Sequence, residues 1–360
     1  MSKTFFTPGP AALYFTVEQH LKNALKKGVP SISHRGKEYM TFHQETVENL
    51  RNLLNVPSNF HIGFTSSATE IWERSIECLV DKHSFHFVNG SFSEKYHKVA
   101  QALGKTALEK TATPGSNNEI AAVEIPTEVE LVTFAQNETS TGASIPVEDI
   151  PGLRKNAPNA LIAVDVVSSA PIADIPFDQV DMVYFSVQKC FGLPAGLGVW
   201  IYNNKCLEKA KNLKAEGKYH DTYNGLLNIH KFNQKNQTSC TPNVLNIYLL
   251  GMVAKDMLNK GIDQLRREAH YKSALIYNLF ESHEKMTPFV SEKKYRSTTV
   301  GVADIGDGAS DLIQQLAERK LILGGGYGPF KGKHIRIANF PTHSKEQMEL
   351  LVDTIQELDF

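Results

Sequence analysis

Tyr184-Phe-Ser-Val-Gln-Lys-Cys-Phe-Gly-Leu-Pro-Ala-Gly-Leu-Gly198 is an apolar run that delivers one lysine, Lys189, and then breaks into a turn rich in glycine and proline. Upstream, Ala160-Leu-Ile-Ala-Val-Asp165 is a second apolar run, and it ends in a carboxylate. Short apolar runs bounded by turn signals read as buried strands of a parallel sheet. In an open α/β sheet the ligand crevice lies just outside the carboxyl ends of the strands. Two strands that each deliver one charged residue there suggest a site, although two ordinary charged strand caps read the same way. A lysine able to form a Schiff base, with an aspartate for a ring nitrogen, is the pair that pyridoxal phosphate requires.

Outward from these runs the pattern alternates. Apolar residues at helical spacing mark residues 16–28 and 38–55, and Asn55-Val-Pro57 ends the second. Strands are expected at His61–Thr65, Phe85–Val88, Leu131–Ala135, Leu161–Val164 and Met182–Ser186, with Val199–Tyr202 pairing at an edge. Helices are expected between them, at Ala68–Val80 and Ser93–Leu103, and as helix or loop at Val147–Ala157. Strands alternating with helices mean an α/β unit with a mostly parallel sheet. From Asn243 two long helical stretches run to about His283; strands at Thr298–Val302 and His334–Ala338 and helices near 309–320 and 344–358 make a smaller α+β unit. The expected division is 1–257 and 258–360, with no flexible linker between the two.

Composition excludes several classes. The chain has 360 residues, 38 Lys and Arg against 39 Asp and Glu, and a net charge of -1. That balance argues against nucleic acid or an anionic membrane as the main partner. No apolar run approaches the roughly 18 residues of a membrane span, and Met1–Pro10 has no secretory h-region, so a cytoplasmic protein is expected. Cys78, Cys190, Cys206 and Cys240 form no CxxC pair, which points to free thiols rather than zinc or disulfides. His83 and His86 lack a carboxylate partner nearby, and no metal is expected.

Four further segments carry polar chemistry. Ser66-Ser-Ala-Thr69 follows a strand and opens a helix, where small residues and free amides suit a phosphate; a plain capped helix is the competing reading. Ser33-His-Arg-Gly-Lys-Glu-Tyr39 places His34 beside Arg35, which suits an anionic substrate group or a solvated turn. Arg336 lies on a strand between apolar neighbours and needs a carboxylate, from a substrate or from the protein. Asn137-Glu-Thr-Ser-Thr-Gly142 follows a strand end and reads as ring or phosphate contacts or as a polar turn. The glycine-rich Gly324–Gly332 has no GK[ST] and reads as a turn or mobile lid.

Together these segments resemble the class V branch of the fold-type I pyridoxal-phosphate aminotransferases, nearly end to end, from Pro8-Gly-Pro10 to the Arg336 strand. Ser33–Tyr39 is the most specific match, and it is similar to the phosphoserine-converting members; Asn52–Asn59, Asn137–Thr139, Gln188-Lys189 and Gly196-Leu197 add to it. The resemblance implies a large domain with a mostly parallel seven-stranded sheet, a smaller C-terminal domain, and a segment 1–20 that contacts the small domain and the site. It implies a cytoplasmic homodimer with shared active sites and amino-acid and keto-acid substrates.

Residue by residue, Lys189 would carry the cofactor and then move the α-proton, and Asp165 would pair with its ring nitrogen. Phe92 would stack on the ring, where the family usually has Trp. Ala68 and Thr69 backbone groups and Gln188 would hold the phosphate, and Thr139 would sit beside the ring. Cys240 and Thr241 would reach the phosphate from the partner subunit, with Cys240 where the family has Asn. Arg336 would clamp the substrate α-carboxylate, and His34 and Arg35 of the partner subunit would meet the substrate phosphate.

The implied reaction is 3-phosphohydroxypyruvate and glutamate to O-phosphoserine and 2-oxoglutarate, in serine biosynthesis. Gly328-Pro-Phe-Lys-Gly-Lys-His334 lacks the His-Arg pair of the bacterial phosphoserine enzymes, leaving Lys331, Lys333 or His334 to compensate. This keeps a serine- or alanine-glyoxylate (or pyruvate) transaminase as the alternative. A non-catalytic binder of a phosphorylated ligand is the reading from another class.

Overall fold

The computed structural model describes residues 3–360; Met1 and Ser2, where the expected contacting segment begins, lie outside the described residues. In chain order the first elements are β1 (Thr4–Phe6), α1 (Val17–Lys26), α2 (Lys37–Leu53), β2 (Phe60–Thr65), α3 (Ala68–Leu79), β3 (His83–Val88), α4 (Ser91–Ala102), β4 (Thr106–Thr111) and β5 (Leu131–Ala135). A hairpin of β6 (Asn137–Glu138) and β7 (Ala143–Ser144) leads to α5 (Ile150–Asn156), β8 (Leu161–Asp165), β9 (Met182–Ser186), β10 (Gly198–Asn203), α6 (Asn204–Ala215) and α7 (Leu226–Asn233). The remainder is α8 (Val244–Lys260), α9 (Ile262–Ser282), β11 (Thr287–Pro288), β12 (Val300–Asp304), α10 (Ala309–Glu318), β13 (Leu321–Gly325), β14 (His334–Ala338) and α11 (Lys345–Gln356).

The large sheet has seven strands in the order β2-β10-β9-β8-β5-β3-β4. All neighbours run parallel except β10, which is antiparallel to both β2 and β9. Side chains alternate across its two faces. Leu131, Ala163, Met182, Tyr184, Trp200 and Tyr202 pack with α3, α4 and α6. Val132, Ile162, Val164, Phe185, Val199 and Ile201 pack with α2, α8 and α9 on the other face. A sheet buried on both faces explains why its central strands are apolar without interruption.

One expectation changes here. Val199–Tyr202 was expected at an edge, but β10 lies inside the sheet between β2 and β9. Every residue of β10 is buried, which an edge strand does not require. The edges are β2 and β4, the latter Thr-Ala-Leu-Glu-Lys-Thr, largely exposed and without an apolar signature.

The smaller sheet has the order β1-β13-β14-β12-β11. Its core joins Phe6 to Ile276, Phe280, Leu312, Leu323, Ile335, Ile337, Leu351 and Ile355, from α9, α10 and α11 as well as the strands. β1 pairs in parallel with β13, Thr4 opposite Leu321 and Phe6 opposite Leu323. The glycine-rich stretch therefore begins as a strand, not as a turn or lid. Gly324 lies within β13, and a Cβ there would come 2.6 Å from Cδ of Pro8. The helices α8 and α9 meet at Gly261, whose φ of +87° a larger residue adopts only with strain.

Candidate active site

Asp165 is the last residue of β8 and lies opposite Tyr184 of β9. Lys189 follows β9 by three residues, so adjacent parallel strands bring the two charges to one sheet edge. Each is only 7% exposed. One carboxylate oxygen of Asp165 accepts the Val167 amide at 2.8 Å, and no cation pairs with the carboxylate among the described residues. Burial pushes Asp165 up to about 7; the Val167 amide opposes this, and the Glu138 carboxylate adds to it. Burial, helped by the positive charge of Arg336, pushes Lys189 down to about 8. A lysine so placed is partly neutral near pH 7 and can act as a nucleophile or base.

The Lys189 amine donates to the carbonyl of Pro8. Gly9 crosses directly over it: a Cβ at that position, with φ +145°, would lie 2.5 Å from Cε of Lys189. The cleft around the amine is lined by Ala68, Thr69, Trp72, Phe92, Asn137, Thr139, Asp165, Ser186, Gln188 and Lys189, among others. Lys189 Nζ sits 5.6 Å from the centroid of the Phe92 ring. Ser168 closes the wall, accepting from Asn137 Nδ2 at 2.7 Å and from Thr139 Oγ1 at 2.9 Å.

At the mouth of α3, Ser67 caps the helix by accepting the Glu70 amide at 3.1 Å. Glu70 reaches back and accepts from the Ser66 amide at 2.7 Å and its hydroxyl at 2.6 Å. The Ala68 amide already donates to Ser186 Oγ at 2.7 Å. Ala68 thus borders the cleft with its amide occupied, and Ser186 presents a hydroxyl there. Sequence reasoning passed over Ser186 as a strand residue; its place two positions before Gln188 is the signal, since alternate residues of a strand share a face.

Arg336 projects from β14 toward the same region. Its Nε donates to Gly325 O at 2.7 Å and its Nη1 to Thr139 O at 3.2 Å, and its Nη2 has no protein acceptor among the described residues. The guanidinium carbon lies 5.3 Å from the Tyr327 ring centroid. Backbone carbonyls hold this arginine and no protein carboxylate is bonded to it, although the Glu138 carboxylate acts on it from a distance.

His34, Arg35, Cys240 and Thr241 do not line the cleft of their own chain. They form a patch of their own: Arg35 donates to Thr238 O at 2.7 Å and to Ser239 O at 3.3 Å, next to the exposed Cys240 and Thr241. His334, offered above as a substitute phosphate ligand, is buried against Phe330 at 4.5 Å and Phe289 at 4.3 Å between ring centroids. That aromatic packing withdraws it from such a role, while Lys331 and Lys333 are exposed. A larger cavity of about 520 Å³ lies on the other side of Asn137, beside Ser169, Arg266 and Arg296, but contains neither Lys189 nor Asp165. Chemistry, not size, selects the smaller cleft.

Comparison with known proteins agrees with this choice. The family model for aminotransferase class-V matches residues 6–328. A phosphoserine aminotransferase of Rhodococcus opacus (strain B4) is 30% identical over 331 residues, covering 90% of this chain and 86% of the relative. The crystal structure of a phosphoserine aminotransferase from Cytophaga hutchinsonii superposes with a TM-score of 0.97 at 44% identity, covering 99% of this chain and 98% of that one. The ureidoglycine-glyoxylate aminotransferase of Bacillus subtilis shares the fold at a TM-score of 0.83 and 18% identity, over 99% of this chain and 92% of that one.

Proposed function

This chain belongs to the class-V aminotransferases, and from that premise we propose that it transfers the amino group of glutamate to 3-phosphohydroxypyruvate, giving O-phosphoserine and 2-oxoglutarate. The observation that carries the reading is the buried pair of Lys189 and Asp165 at neighbouring strand ends, in a chain 44% identical to a phosphoserine aminotransferase along its whole length. The alternative, a serine- or alanine-glyoxylate enzyme, has less support. The glyoxylate relative shares only 18% identity.

The residues present fit pyridoxal phosphate. Asp165 is a buried carboxylate without a protein cation, and a protonated ring nitrogen supplies one. Phe92 offers a flat apolar face beside Lys189, and Thr69, Ser186 and Gln188 offer polar groups at a helix start. When bound, the cofactor withdraws electrons from the substrate α-carbon. The protein's own share is orientation and proton transfer. Asp165 would keep the ring nitrogen protonated. Thr139 and Phe92 would bound the ring. Lys189 Nζ would take the proton from the substrate Cα and hand it on from the same face, as a base whose pKa lies close to working pH. Arg336, with Nη2 open, holds the substrate α-carboxylate.

In this reading the protein is a cytoplasmic homodimer in serine biosynthesis, with a large domain to residue 257 and a small one from residue 258, β1 of the first stretch joining the sheet of the second. His34, Arg35, Cys240 and Thr241 of each subunit serve the site of the other. Two facts support this: they sit together on one patch, and they are absent from their own chain's cleft. No helix among the described residues is long and apolar enough to cross a membrane.

The deciding experiment is a half-reaction. Cofactor-loaded protein is mixed separately with phosphoserine, glutamate, serine and alanine, and loss of the yellow band is followed. Fast conversion by phosphoserine and glutamate, and far slower conversion by serine and alanine, is the expected result. Fast conversion by serine or alanine would keep the transaminase and remove the phosphate role of His34 and Arg35.

A further inference from the structure

Glu138 is fully buried and forms no ion pair at contact distance among the described residues, although its charge acts on Arg336 and Lys189. Its carboxylate instead collects donors from two segments. The amides of Phe92 and Ser93 donate to it at 3.1 and 3.0 Å, and the Ser93 hydroxyl at 3.0 Å. The amide and hydroxyl of Ser140 donate to it at 3.1 and 2.6 Å. The first three belong to the opening turn of α4, whose N-cap is Gly90. Glycine has no side chain with which to cap the helix, so a carboxylate from 45 residues away takes that place. Gly90 is also what makes room for it: a Cβ there would lie 2.7 Å from the Glu138 carboxyl carbon and 2.6 Å from Ser140 Oγ.

The tie matters because of what each segment carries. α4 carries Phe92, whose ring faces Lys189 and lies 5.3 Å from the Tyr327 ring, and Lys95, which donates to the Tyr327 hydroxyl at 2.6 Å. Tyr327 in turn faces the Arg336 guanidinium, and Arg336 donates to Thr139 O, the residue after Glu138. The contacts thus close a ring: Glu138, Phe92, Tyr327, Arg336, Thr139. It joins the wall of the cleft to the residue that meets the substrate carboxylate.

We propose that Glu138 is a positioning residue for transamination, whose buried carboxylate fixes Phe92 over the cofactor and, through Thr139, the set of Arg336. This rests on the transaminase reading above. A neutral glutamine of the same shape has one acceptor oxygen where five donors converge, and its amide group faces N–H donors. Releasing α4 lets the Phe92 ring tilt, and misplacement on the order of 1 Å costs up to about 100-fold in rate.

The test compares cofactor-loaded wild type, Glu138→Gln and Glu130→Gln. Glu130 is the control: it likewise accepts three amides, from Asp81, Lys82 and His83, but outside the cleft. The readouts are circular dichroism in the cofactor band, melting temperature, and kcat and KM for glutamate. For Glu138→Gln the expected result is loss of about half or more of the cofactor dichroism and a kcat lower by about tenfold or more. For Glu130→Gln the melting temperature falls and the dichroism stays. Equal loss of melting temperature in both variants, with wild-type dichroism and kcat retained in Glu138→Gln, would reduce Glu138 to a structural cap and overturn the proposal. Should Glu138→Gln not fold, Ser93→Ala and Ser140→Ala each remove one donor; partial loss of dichroism supports the proposal and unchanged spectra refute it. A wild type that takes up no pyridoxal phosphate overturns the transaminase reading itself; a reactive wild type with indifferent variants overturns this inference alone.

Discussion

Asp165 is held in the cleft as a charge that the folded protein would sooner neutralise. Burial raises its pKa from the ordinary 3.8 to about 7. Between those values the folded state binds more protons than the unfolded chain, so this residue's contribution to stability falls as pH rises through the window and levels off above it. The cost at the plateau is on the order of 4 kcal/mol. Asp165→Asn removes it, so the cofactor-free variant should melt higher than cofactor-free wild type. The gap should widen from pH 4 to pH 7 and then stay constant, while cofactor affinity drops. Scanning calorimetry across that range checks the shape. Arg336→Ala should raise KM for both amino acids by about 100-fold, the value of a charge-assisted pair, in steady-state assays. Lys189 and Asp165 were legible in the sequence because each is a lone charge closing an apolar run. Glu138 was not, because in Asn137–Gly142 it reads as one more polar residue of a turn, and its burial comes from α4, 45 residues away.

At the scale of elements, the site depends on how closely β10 passes behind the opening of α3. A Cβ on Gly198 would lie 2.5 Å from the Ser67 carbonyl carbon, which is backbone and cannot rotate away. Gly198→Ala should therefore push Ser67–Thr69 off the sheet, costing about 1–3 kcal/mol of stability. It should also weaken cofactor binding more than a surface change in β4 does; fluorescence titration of the cofactor-free variant measures this. Most elements were visible from periodicity. Those missed include β1, β4, β13 and the helices α6 and α7. β4 is a largely exposed edge without an apolar face, and β1 is three residues long, too short for any pattern to repeat. β13 ends in glycines, whose role is to let Pro8 approach, and glycine in a sequence argues for a turn.

At the scale of the whole molecule, the patch formed by Arg35 and residues 238–241 is bonded within one chain but lines no part of that chain's own cleft. If subunits exchange these residues, two inactive variants can repair each other. Lys189→Ala and Arg35→Ala should each be inactive toward phosphoserine alone. Co-expressed in equal amounts, they should recover about a quarter of wild-type activity, because half the dimers are mixed and each mixed dimer has one intact site. Recovery of nothing would place Arg35 and Lys189 in the same subunit's site. None of this was open to periodicity or composition; only the resemblance to a family suggested a shared site.

One pairing bears on how the protein comes to exist in the cell. β1 lies parallel to β13, 317 residues later by the register of Thr4 with Leu321, and the Pro8 carbonyl just beyond β1 holds the Lys189 amine. A ribosome delivers the first strand long before its neighbour. Until residues 321–338 have left the exit tunnel, β1 has no edge to join, and residues 11–14, through the Gln188 and Gly192 carbonyls, hold the opening segment beside Lys189. The nascent chain can assemble the seven-stranded layer as it emerges, but the strand that carries the cover over its reactive lysine finds its neighbour only once residues 321–325 have appeared.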